Sequence, residues 1–161
     1  YVILSNHASY FDPPALVLAL RLQYRWVIKK ELRKVPLFGL ALETSRNLFI
    51  DRSRGADALE SIKRGVAQLP NGTGILIFPE GTRSLDGKLL PFKKGGFVIA
   101  KDGQLPILPV TIRGSHQRLP KGHATFTPGE IEIVIHPPVA TGDLPLDDLM
   151  TDVRNSIASS L

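Results

Sequence analysis

His7 and Asp12 stand five residues apart in "NHASYFD" (6–12), close behind the apolar run "YVIL". An imidazole can take a proton near neutral pH, and a carboxylate on its other nitrogen fixes the tautomer and steadies the imidazolium. At a strand-to-helix turn, these two residue types can form a general base and the group that orients it. The same residues also suit a plain turn, since Ser, Asn and Asp punctuate loops. Asp12 ahead of Pro13 is equally a natural helix N-cap. One carboxylate oxygen could cap while the other meets His7.

A second cluster, "FPEGTRS" (78–84), has the makings of an anion site. Gly81 and Thr82 permit a tight turn whose backbone N–H groups can face an anion, and Arg83 offers a planar fork for a phosphate. Glu80 can hold Arg83 or contact a substrate hydroxyl. Arg52, beside Asp51, and Lys93, in "PFKKGG", add positive charge on loops that should lie nearby. A surface turn with an ion pair is the plainer alternative.

Positioning these clusters requires strands that end beside one another. "YVILS", "RWVIK", "NLFI", "GILIF" and "ILPVTI" read as short strands. The fourth shows no polar alternation, so both its faces should be buried. Helices are expected after Asp12, at Leu59–Leu69, at "GGFVIAKDG", and at the C-terminus through Leu149, Val153 and Ile157. Residues 131–136 alternate as a late, more exposed strand. Strands alternating with helices imply an α/β fold with a mostly parallel central sheet flanked by helices, in a single domain over residues 1–161. In such sheets ligands bind beyond the carboxyl ends of the strands. His7, Arg52 and the 80–83 turn each follow a strand and should emerge along one edge.

Composition excludes several chemistries. There is no cysteine, hence no disulfide, thiolate nucleophile or sulfur-bound metal. No Gly-x-Ser-x-Gly elbow occurs, and the glycines around Lys88 miss the phosphate-loop spacing. His116, His123 and His136 lack metal-ligand spacing. Asn71-Gly-Thr73 fits a glycosylation acceptor or simply a turn. The segment from Arg21 to Lys34 has six cations against Glu31, equal to the whole net charge of +5. By charge alone it could face anionic lipid, nucleic acid or an acidic carrier protein, with "VPLFGLAL" (35–42) beside it, or be plain solvated surface over a core segment. A nucleic-acid partner is not expected, because basic residues are not interleaved with aromatics across the chain. The chain opens at Tyr1 within a strand-like run, without an initiator methionine, so a natural N-terminal segment is expected to be missing.

Four blocks in order, "NHASYFD", "NLFIDR", "FPEGTRS" and "LPILPVTIRGS", together with "LLPFKKGGFVIA", resemble the glycerolipid acyltransferases. The similarity is greatest to the 1-acyl-glycerol-3-phosphate (lysophosphatidic acid) acyltransferases. It implies transfer of a fatty acyl group from acyl-CoA or acyl carrier protein to the sn-2 hydroxyl of the lysophospholipid, forming phosphatidic acid in phospholipid biosynthesis. By the same resemblance His7 takes the hydroxyl proton, Asp12 orients it, and Glu80, Gly81, Thr82 and Arg83 form the acceptor site. Arg83 would hold the phosphate, helped by Arg52 and Lys93. No metal or other cofactor is implied, and the protein would work at a membrane surface on its cytoplasmic face. The departure is Arg46, where the family usually has glycine. Three alternatives stay open: another acceptor such as glycerol-3-phosphate, a thioesterase, or a non-catalytic lipid-binding module.

Overall fold

Successive residues of a strand point to opposite faces of a sheet, and β1 (Val2–Ser5) buries both. Val2 and Leu4 join a core cluster on one face, while Ile3 joins a second cluster on the other. In β4 (Gly74–Ile77), Ile75 and Leu76 divide in the same way. The missing alternation is thus the signature of a sheet covered on both sides. The computed structural model describes residues 1–51 and 55–161.

The remaining strands are β2 (Tyr24–Lys29), β3 (Leu48–Ile50), β5 (Ile107–Arg113) and β6 (Glu132–Ile135), and the sheet order is β3-β2-β4-β1-β5-β6. The first five strands pair in parallel and β6 runs antiparallel to β5. This is the expected mostly parallel α/β sheet. The late alternating segment is an edge strand, with Ile135 exposed.

Helix α1 (Asp12–Ala19) covers one face through Leu16, next to Leu20. A 3₁₀ turn (Lys30–Lys34) and α2 (Phe38–Thr44) follow β2. The opposite face carries α3 (Gly55–Ala67), α4 (Gly95–Asp102) and α6 (Leu146–Ala158). Leu149, Val153 and Ile157 recur every fourth residue and are fully buried, the contact stripe of an amphipathic helix. A short helix, α5 (Ser115–Arg118), follows β5. Among the described residues no helix is long and apolar enough to cross a membrane.

One local feature differs from the sequence-based expectation. The N-cap of α1 is Phe11 rather than Asp12, which sits in the first turn together with the prolines. Its carboxylate turns backwards to the preceding loop. Arg46, where glycine is usual, keeps a left-handed backbone with φ 55°, a conformation that costs a residue with a Cβ roughly 1–2 kcal/mol.

Candidate active site

β1 and β4 are adjacent, parallel and in register, Leu4 opposite Ile77, so the loops leaving them start side by side. Four hydrogen bonds hold the first loop. The Asn6 amide donates to the Ile112 carbonyl (2.8 Å) and accepts the Ile112 N–H (2.7 Å), continuing the ladder beyond β1. The Ser84 N–H donates to the His7 carbonyl at 2.9 Å. The His7 N–H donates to Glu80 Oε1 at 2.6 Å. The histidine main chain is thus fixed on both sides by the loop after β4.

The imidazole is held as firmly. His7 Nδ1 lies 2.7 Å from Asp12 Oδ2, and the ring stacks on Phe78 with centroids 3.9 Å apart and planes 9° from parallel. The same Asp12 oxygen accepts the N–H groups of Ala8 (2.7 Å) and Ser9 (2.8 Å). Two backbone donors keep that oxygen an acceptor, so Nδ1 is the donor in this contact, and in the neutral ring the lone pair falls on Nε2. Asp12 is completely buried, whereas the His7 side chain retains 17% exposure. A buried carboxylate behind a partly open imidazole can steady charge on a base that reaches substrate.

His7, Thr82 and Arg83 line one cavity of about 620 Å³, with walls from Pro13, Val17, Trp26 and Phe78. The Arg83 guanidinium carbon lies over the Tyr10 ring, 3.5 Å from its centroid, and its buried Nη1 has no hydrogen-bond partner among the described residues. A buried N–H left without a partner is costly unless an acceptor such as a bound anion completes it. Gly81 has φ +72°, and a Cβ there would come within 2.9 Å of Lys93 Cε and Nζ. Glycine therefore allows both the turn and the approach of Lys93. Of the residues singled out in the sequence, His7, Asp12, Glu80, Gly81, Thr82, Arg83 and Lys93 come together here, while Arg52 lies outside the described residues.

Glu80 is placed differently from its neighbours. It is almost fully buried, and its oxygens accept the N–H groups of His7 and Leu90 (2.8 Å) instead of meeting Arg83. Burial pushes its carboxyl up to about 7, against the lowering effect of those two N–H donors. Since the folded value lies above that of an exposed glutamate, its contribution to stability is complete below about 4.5 and is lost as pH rises through about 7. Urea titrations at pH 5 and pH 8 should show the wild type losing more stability across this interval than Glu80→Gln.

Sequence reasoning missed Tyr10 and Phe78, which flank Arg83 and His7. Both lie inside the quoted motifs, but only coordinates reveal which rings they face. Among the described residues no group of three His, Asp or Glu side chains could hold a metal ion.

The family model for Acyltransferase matches residues 1–113. This chain belongs to the acyltransferase family. Over 161 residues it is 33% identical to a chloroplastic 1-acyl-sn-glycerol-3-phosphate acyltransferase of Brassica napus, covering 99% of this chain and 46% of that protein. With the 1-acyl-sn-glycerol-3-phosphate acyltransferase alpha of Mus musculus it shares 37% identity over 163 residues, covering 98% of this chain and 57% of the other. The crystal structure of the 1-acyl-sn-glycerophosphate (LPA) acyltransferase PlsC from Thermotoga maritima superposes with a TM-score of 0.85 at 34% identity, over 99% of this chain and 64% of that one. This acyltransferase chain spans about half the length of the curated relatives it matches.

Proposed function

We propose that this acyltransferase moves a fatty acyl group from a thioester, acyl-CoA or acyl carrier protein, to the sn-2 hydroxyl of lysophosphatidate, forming phosphatidic acid. The observation that carries the reading is the shared cavity: His7, backed by the buried Asp12, and the Thr82–Arg83 turn border the same space. In the reaction the acceptor phosphate docks on Arg83, supported by Lys93 and by Arg52. The hydroxyl is thereby brought to His7 Nε2, which takes its proton as the oxygen attacks the thioester carbonyl. An alcohol is a poor nucleophile at neutral pH, so proton removal must accompany attack. The tetrahedral intermediate collapses with expulsion of the thiolate, and the proton held by His7 passes to that sulfur. Positioning by the remote phosphate supplies much of the advantage. The thioester is already an activated donor, so the scheme calls for no metal or other cofactor.

Assaying the full-length protein with acyl-CoA, with and without lysophosphatidate, tests the scheme. Phosphatidate should form at the expense of the thioester. Release of free fatty acid alone would point to a thioesterase, and efficient acylation of glycerol-3-phosphate would change the acceptor.

The membrane belongs to the same proposal. Val17 and Leu32 on the cavity wall are exposed, with Leu18, Leu37 and Leu40 also open to solvent. Arg21 and Lys34 on the basic stripe are exposed. An amphipathic acceptor would enter from an anionic bilayer across this surface. Each basic residue near such a surface contributes about 1 kcal/mol. Arg21→Gln combined with Lys34→Gln should therefore weaken sedimentation with anionic vesicles by roughly 30-fold. Unchanged sedimentation would remove this surface from the reading.

A further inference from the structure

The Gly81–Arg83 turn collects more positive charge than the sequence motif contains. Lys93 lies against Gly81, and Arg83 supplies its guanidinium from within the turn. A third cation arrives from far along the chain: Lys121 Nζ donates to Thr82 Oγ1 and to the Arg83 carbonyl, both at 3.2 Å. An ammonium has three N–H donors, so one remains after these two bonds. Among the described residues, Arg83, Lys93 and Lys121 have no carboxylate within ion-pair distance. The nearest acid in sequence, Glu80, is occupied by the N–H groups of His7 and Leu90. Three cations gathered around one turn, with no acidic side chain paired to them among the described residues, favour an anion there.

Lys121 is delivered there by a strap. Ser9 Oγ donates to the Leu119 carbonyl at 2.8 Å, and Ser9 forms an isolated bridge with Pro120. Further along, Phe126 packs edge-on against Phe11, with ring centroids 5.9 Å apart. The strap is therefore tied to the loop that carries His7 and Asp12, and it sets Lys121 on the neighbouring loop.

Resting on the reading of residues 80–83 as the acceptor site, we propose that Lys121 selects the headgroup, favouring a phosphate monoester over a phosphodiester. A monoester has a charge of about −1.5 to −2 at pH 7, whereas a diester has one. Arg83 alone can satisfy a single charge; the added ammonium matters in proportion to the charge it faces. Removing it should cost the monoester about twice as much, on a logarithmic scale, as the diester.

The experiment is calorimetric titration of full-length Lys121→Met and Lys121→Arg with lysophosphatidate and with lysophosphatidylglycerol, alongside acyl-transfer kinetics. Lys121→Met should weaken lysophosphatidate binding about tenfold and lysophosphatidylglycerol about threefold. KM should rise more than kcat falls. Lys121→Arg should restore most of the loss. Equal weakening of both lipids, or no recovery with arginine, would make Lys121 a structural brace for the turn and overturn the proposal. So would a wild type that binds the two lipids alike. Monoester preference that depends on Lys121 without any acyl transfer would uphold the headgroup role and defeat the proposed reaction instead.

Discussion

His7→Ala is expected to lower kcat by about 10²–10⁴, the usual contribution of a positioned general base, with lysophosphatidate binding largely kept. The separation follows from which bonds the substitution removes. Both bonds that tie His7 to the loop after β4, its N–H to Glu80 and its carbonyl to Ser84, belong to the main chain. Alanine retains them. Asp12 still receives the Ala8 and Ser9 N–H groups, so its carboxylate is not stranded. What disappears is the imidazole, with its stack on Phe78, a contact worth about 0.5–1.5 kcal/mol beyond area burial. Arg83 keeps its place on Tyr10, so the phosphate site stays intact. Single-turnover kinetics and titration with lysophosphatidate together check this. A variant retaining more than about a tenth of the wild-type rate would mean that the proton leaves by another route.

The architecture could be read before any coordinates because each strand announced itself. "GILIF" lacks alternation, and Ile75 and Leu76 do enter separate cores. The stripe of Leu149, Val153 and Ile157 required a covered face and has one. That the first and fourth loops leave the same edge followed from parallel order, and the β1–β4 pairing, which the sequence did not reveal, sets them side by side. Some features carried no local signal. The direction of β6 could not be told from its alternation, since period two is the same in parallel and antiparallel pairs. Asp12 had two sets of backbone donors within reach, those ahead of it and those behind. Only the folded loop shows that it takes Ala8 and Ser9. Lys121 lies 39 residues from Thr82 along the chain in a stretch without periodicity, and a Ser9 contact decides its place. Exposure of Leu37 and Leu40 was equally hidden, because "VPLFGLAL" has the composition of a core segment.

The sheet also accounts for a division of labour between the two carboxylates nearest His7. Glu80 holds the histidine backbone and the Leu90 N–H, whereas Asp12 holds its ring. One fixes where the base stands, the other fixes which nitrogen carries the proton. In the proposed reaction Asp12 faces the larger electrostatic demand, because its partner would become cationic on taking the hydroxyl proton.

Substitutions at Asp12 should therefore part stability from chemistry. Asp12→Ala removes the acceptor of two backbone N–H groups in a loop whose Ala8 and Ser9 are buried. Each buried donor left unpaired costs about 1–3 kcal/mol, a large share of the roughly 5–15 kcal/mol that holds a domain together. The alanine protein should be strongly destabilised or fail to accumulate. Asp12→Asn can keep an oxygen where Oδ2 stands and so retain the Ala8, Ser9 and His7 contacts. Its amide nitrogen takes the place of Oδ1, which is buried and has no partner, so the cost should stay near 1–3 kcal/mol. What asparagine cannot supply is the negative charge beside a forming imidazolium. Its kcat is accordingly expected to fall by about 10²–10⁴ in a protein that still folds. Urea denaturation beside steady-state kinetics distinguishes the two variants. If the asparagine protein were folded and nearly as fast as wild type, the charge on Asp12 would have no part in the reaction, and its role would end with shaping the loop.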